Sequence, residues 1–82
     1  MSIAPELDIE CLIALEPRVH AHAATMTFIT REGLKRLDPI ERLFHYSNRG
    51  VAFQSAVVVA EEHIWIQKTL PLTLVIGYRE LL

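Results

Sequence analysis

Apolar and polar positions alternate twice in the first third of the chain. Ile9, Cys11, Ile13 and Leu15 alternate with Glu10, Leu12, Ala14 and Glu16. Val19, Ala21, Ala23, Thr25, Thr27 and Ile29 then alternate with His20, His22, Ala24, Met26 and Phe28. Period two is the strand pattern, because successive side chains of an extended backbone point to opposite faces. Pro5 with Glu6, Asp8 and Glu10 also fits an acidic first helical turn. The alternation outweighs it, so two strands are expected, over 5–16 and 19–29. Glu16-Pro17-Arg18 supplies the loop of an N-terminal β-hairpin.

After Thr30 the period changes. Read as helix, Leu34, Leu37, Ile40, Leu43 and Phe44 fall on one broad side, and Arg31, Lys35, Arg42 and Arg49 on the other. Thr30 can cap a helical turn, within which Glu32 and Arg36 form an i,i+4 pair. Asp38 is an N-cap residue, Pro39 suits the first helical position, and Glu41 stands three after the cap. Because Pro39 disfavours helix at Asp38, the pattern predicts a helical turn over 31–37, a kink, and a capped helix over 39–47. Asn48 and Gly50 supply a left-handed exit.

Residues 51–60 are almost wholly apolar, with three successive valines, and read as a fully buried strand. Strands are also expected over 63–68 and 72–78, with Pro71 in the connection. Glu61-Glu62 lacks the glycine, asparagine or aspartate of a tight hairpin. No proline or glycine interrupts 51–68, so a continuous helix there stays open. The fold class expected is α+β in one domain over 1–82: an N-terminal hairpin, a kinked helix, and antiparallel C-terminal strands on the helix's apolar side.

The 82 residues are 51% apolar. A domain of this size buries only ~60–65% of its unfolded surface. Together with Leu70, Leu72, Leu81 and Leu82, that apolar excess predicts a homodimer, with an edge strand pairing across the twofold axis. A net charge of −2 with 22% charged residues excludes neither fold class nor partner, but it does not describe a disordered chain or a generic nucleic-acid binder. Cys11 is the one cysteine, so no internal disulfide forms, and its apolar neighbours predict a buried, reduced thiol. No apolar run reaches the ~20 residues of a membrane span. The acidic start does not read as a secretory signal. A soluble cytoplasmic protein is expected.

Candidate chemistry is sparse. His20 and His22 would face the same way on a strand and could share a metal. The spacing brings none of Cys11, Glu61, Glu62 or His63 to them as further ligands. Asp38, His45 and Ser47 contain the elements of a hydrolytic triad without a nucleophile-elbow context. Phe53, Trp65 and Tyr78 are aromatic but lie in apolar runs, which reads as core. With only Gly33, Gly50 and Gly77, no phosphate-cradling loop exists. No catalytic residue, metal ligand or cofactor is assigned. A metal-dependent or hydrolytic enzyme ranks last among the functions considered.

Two resemblances bear on function. The stretch HYSNRGVAFQS (residues 45–55) resembles the second motif of PilZ domains through Ser47 and Gly50, with His45 where an acid or amide is usual. The first motif would fall on Arg18 to His22, His22 replacing its second arginine. This resemblance implies a cyclic-dinucleotide site at Arg18, His22, Ser47 and Gly50. The run MTFITREGLKRLDP, followed by Asn48-Arg49, Ala56 and LTLVIGYREL, is similar to a family of small bacterial α+β proteins of unknown function. That likeness covers more of the chain and ranks first, and it implies no activity. Charge points to a surface. Residues 31–49 hold five basic against three acidic residues, a net +2 that leaves −4 for the rest of a chain totalling −2. The expectation is a small regulatory or adaptor domain, not an enzyme. It would bind an acidic protein partner through Arg31, Lys35, Arg42 and Arg49 on one helix face, with nucleic acid the lesser possibility.

Overall fold

The computed structural model describes residues 7–31, 33–34, 36–67 and 75–82. Strand β1 (Ile9–Arg18) and strand β2 (Ala21–Thr30) form the expected antiparallel hairpin, in register from Arg18↔Ala21 to Ile9↔Thr30. The alternation works as read. Ile9, Cys11, Ile13 and Leu15 are buried, as are His22, Ala24, Met26 and Phe28 across from them. The turn lies two residues later than expected, at Val19-His20, and Pro17 is part of β1. Pairing between β1 and its other neighbour ends at Ala14. Pro17 therefore sits where that edge of β1 is free and a missing N–H is tolerated. His20 takes a positive φ of 53° in the turn, a conformation in which histidine is enriched.

Beyond β2, helix and strand are exchanged relative to expectation. Residues 40–44 form strand β3 (Ile40–Phe44), not helix, and pair antiparallel with β2 from Met26↔Ile40 to His22↔Phe44. Asp38 and Pro39 belong to the preceding loop. IERLF does not alternate, but the open edge of β2 supplies partners for its backbone that an isolated short helix lacks. Within the loop, Leu34 N–H donates to the Arg31 carbonyl (3.0 Å), and Gly33 takes a φ of 91°. Lys35 lies outside the described residues.

The two strands expected over 51–68 are instead one helix, α1 (Arg49–Gln67). Asn48 starts it rather than ending a helix before it. Its Oδ1 accepts from Val51 N–H (3.0 Å), and its carbonyl takes the first helical bond from Ala52 N–H (3.1 Å). Ala52, Ala56, Ala60 and Ile64 recur every four residues and are buried against the sheet. Their small size lets the helix approach closely. β-Branched valines favour strands only weakly when a packing face of this kind is available.

Strand β4 (Ile76–Leu81) closes the sheet. The expected 72–78 strand overlaps it at 76–78, and residues 72–74 lie outside the described residues. β4 pairs parallel with β1, from Ile9↔Ile76 to Ala14↔Leu81, so the C-terminal strands are not an antiparallel set. The sheet order is β3-β2-β1-β4. α1 is the crossover that a parallel return requires. Asp8 ties three strand ends together: it exchanges backbone and side-chain bonds with Val75 (2.9 and 3.0 Å), and its carbonyl accepts from Arg31 N–H (3.0 Å). The fold class is α+β, with one helix on one face of a four-stranded mixed sheet.

Candidate functional site

Of the four basic residues expected on one helix face, the three that are described, Arg31, Arg42 and Arg49, do not share an element. Arg31 lies just past β2, with its guanidinium 3.8 Å from the Asp8 carboxylate. Arg42 is in the middle of β3 and donates to the Glu41 carbonyl (3.3 Å). Arg49 is the first residue of α1, and its Nε donates to Glu80 on β4 (3.0 Å). A loop, a strand and a helix start therefore carry these residues, and they form no single helix face.

The PilZ-like positions come closer together. His22 is buried near the start of β2, and its Nδ1 donates to the Tyr46 carbonyl at 2.9 Å. This bond joins His22 to the residue that precedes Ser47. Arg18 is paired with Glu16 at 3.2 Å on the exposed end of the hairpin. His20 and His22 do not share a strand face, since His20 is in the turn. Among the described residues, no group of three or more His, Cys, Asp or Glu is placed to hold a metal ion. Asp38, His45 and Ser47 are exposed on the loop and link flanking β3, and no hydrogen bond joins them.

The interior under α1 contains polar groups that the sequence pattern did not bring together. Cys11 faces Phe28 and Tyr78 across its two neighbouring strands. Burial pushes the Cys11 thiol from 9.0 up to about 11, so it is a protonated core group, not a nucleophile. Burial also raises Tyr78, and the nearby Glu61 carboxylate and Cys11 raise it further. Its hydroxyl is buried beside the Glu61 carboxylate, and Nε2 of His63, whose ring stacks on Phe28 at 5.5 Å, is buried without a hydrogen-bond partner among the described residues. Phe53 and Tyr78 pack against the core as expected of core aromatics, whereas Trp65 is exposed.

The surface that stands out is the other face of the sheet. α1 covers one side only. The uncovered side carries Leu12 and Ala14 from β1, Ala23, Thr25 and Ile29 from β2, Leu43 from β3 and Leu81 from β4. Cross-strand pairing sets them side by side: Ala14 lies between Thr25 and Leu81, and Ala23 lies beside Leu43. Ile29 and Leu43 are each 52% exposed and Leu81 42%. Glu10, ion-paired to Arg79 at 3.2 Å, with Glu16 and Glu41, sets acids around and among them. One signal of this was legible: Leu12 and Ala14 are apolar at the very positions that should face water if only one side of β1 were buried.

Comparison of the chain with family models, curated protein sequences and solved structures gives no match. No helix among the described residues is long and apolar enough to cross a membrane.

Proposed function

We propose that this chain is a small regulatory or adaptor domain that acts by protein–protein contact, and that the partner docks on the open face of the sheet. One observation carries the reading: a four-stranded sheet with a helix on one side presents branched apolar side chains on the other. Exposed apolar patches rimmed by charge are characteristic of interaction surfaces. The acids on this face favour a partner that combines apolar and basic groups, in place of the acidic partner that a basic stripe would select. A cytoplasmic location fits a protein whose one thiol is buried and protonated.

The test is affinity capture from host cells with the wild-type chain and with an Ile29→Lys, Leu43→Lys variant. Both residues are about half exposed, so the variant should keep the wild-type circular dichroism spectrum. A partner enriched by wild type should be lost from the variant. If the variant retains the same partners in the same yield, the sheet face is not the docking surface. A second reading draws on the bond between His22 and Tyr46, which sets the two PilZ-like segments together. Calorimetric titration with a cyclic dinucleotide tests it, and a flat titration removes it.

A further inference from the structure

The solvent side of α1 carries an apolar stripe of its own. At 100° per residue, Val51, Val58 and Trp65 stand within about 40° of one another, diametrically opposite the buried alanine stripe. They are 44%, 54% and 58% exposed. We propose that this stripe is a self-association surface, on which a second copy of the chain docks with its own α1 antiparallel.

The spacing is self-complementary. The three residues step by seven, with Val58 in the centre. A twofold axis beside Val58 sets Val58 against its own copy, Val51 against the partner's Trp65, and Trp65 against the partner's Val51. Each large ring then lies over a small side chain. Twofold pairs of this kind close after two copies and leave no free end.

Charge selects the direction. Gln54 and Glu61 are seven apart on one flank of the stripe, and Ser55 and Glu62 are seven apart on the other. Parallel helices would oppose Glu61 to the partner's Glu62 on both flanks and Trp65 to Trp65. Like charges so placed repel. Antiparallel helices put the neutral Gln54 across from the partner's Glu61, and Ser55 across from the partner's Glu62. The helix dipoles agree with this choice. α1 has no acidic residue in its first turn and no basic residue in its last. Its own glutamates lie toward its negative end, and an antiparallel neighbour brings its positive end to them.

Three side chains make a small patch, at the low end of specific interfaces, which run below about 1,200 Å² in total. The association is therefore concentration-dependent, with half-assembly in the micromolar range or weaker. Joined in this way, two copies bury their helices between them and turn both open sheet faces outward. The pair is a bivalent form of the adaptor proposed above. The self-association itself does not rest on that reading, because it uses the opposite side of the molecule.

Sedimentation velocity of the full chain from about 10 µM to about 1 mM tests the proposal. The mass should rise from 9.4 kDa toward twice that value. Val58→Asp should hold the mass at that of one chain throughout, and Leu43→Lys on the sheet should associate as wild type does. Cysteine substitution fixes the geometry without depending on a charge reversal. Val58→Cys, on the axis, should form a disulfide-linked dimer rapidly under mild oxidation, and Val51→Cys should not. Cys11 is buried and stays silent. The proposal is overturned by a one-chain mass at every concentration. It is equally overturned by Val58→Asp associating like wild type, or by Val51→Cys cross-linking as fast as Val58→Cys.

Discussion

Raising the pH should destabilise this protein through one sulfur atom. Cys11 is fully buried between Phe28 and Tyr78, beneath α1. In the unfolded chain the thiol ionises near 9.0, and in the folded chain only at about 11. Between those values the unfolded state gives up a proton that the folded state keeps. The folded pKa is raised, so the thiol's contribution is complete below pH 9 and falls away as pH rises toward 11. Each pH unit of that window is worth ~1.4 kcal/mol. The loss is therefore about 1 kcal/mol by pH 10 and about 3 kcal/mol when complete. A domain of this size holds only ~4–12 kcal/mol in total. Urea unfolding at pH 8, 9 and 10, for wild type and Cys11→Ala, isolates the effect. The substitution leaves a small void and lowers stability at every pH, so the readout is the slope. Wild type should lose about 1 kcal/mol more than Cys11→Ala between pH 8 and pH 10. Tyr78 is raised in the same sense and ionises around 10.0 in the unfolded chain, so it enters at the upper end of the series, but it is present in both proteins and largely cancels from their difference. Parallel pH profiles for the two proteins would show that the thiol is not held protonated by the fold.

Two further predictions concern the backbone. Asn48→Ala removes the acceptor for Val51 N–H and should cost ~1 kcal/mol, lowering Tm by ~4–8 °C. Asn48→Asp should retain most of that stability, and Asp38→Ala, in an exposed loop, should shift it by less than ~0.5 kcal/mol. Calorimetry that ranks Asp38→Ala as the more damaging of the two alanine variants would place the helix start wrongly here. His20→Gly relieves a left-handed residue that costs ~1–2 kcal/mol, offset by glycine's greater unfolded-state freedom of ~0.5–1 kcal/mol. A net gain of up to ~1.5 kcal/mol should appear as a higher urea midpoint, and a lower midpoint would mean that the imidazole makes a contact worth more than the strain.

The N-terminal hairpin was legible in the sequence because both strands alternate over ten residues and pair with each other. The two faces of each strand, and with them the grouping of Ile9, Cys11 and Ile13, follow from that local pattern, whereas the register was set by a turn at Val19-His20 that the pattern placed two residues early. The rest was not local. In 31–49, a basic stripe of four residues and a well-formed capping sequence at Asp38 describe a helix where the structure has strand β3 and its flanking loops. The decisive fact was the open edge of β2, which residues 40–44 occupy. In 49–67, the helix hides because it is apolar on two opposite sides. Ala52, Ala56 and Ala60 face the sheet while Val51, Val58 and Trp65 face outward, so the amphipathic contrast by which a helix announces itself nearly cancels. The parallel return of β4 needed the crossover to be known first. Local side-chain alternation determined the hairpin. The choice between helix and strand beyond it was made by which neighbour each segment meets, and so was the exposure of one face of the sheet, because α1, the one helix among the described residues, can cover only one side.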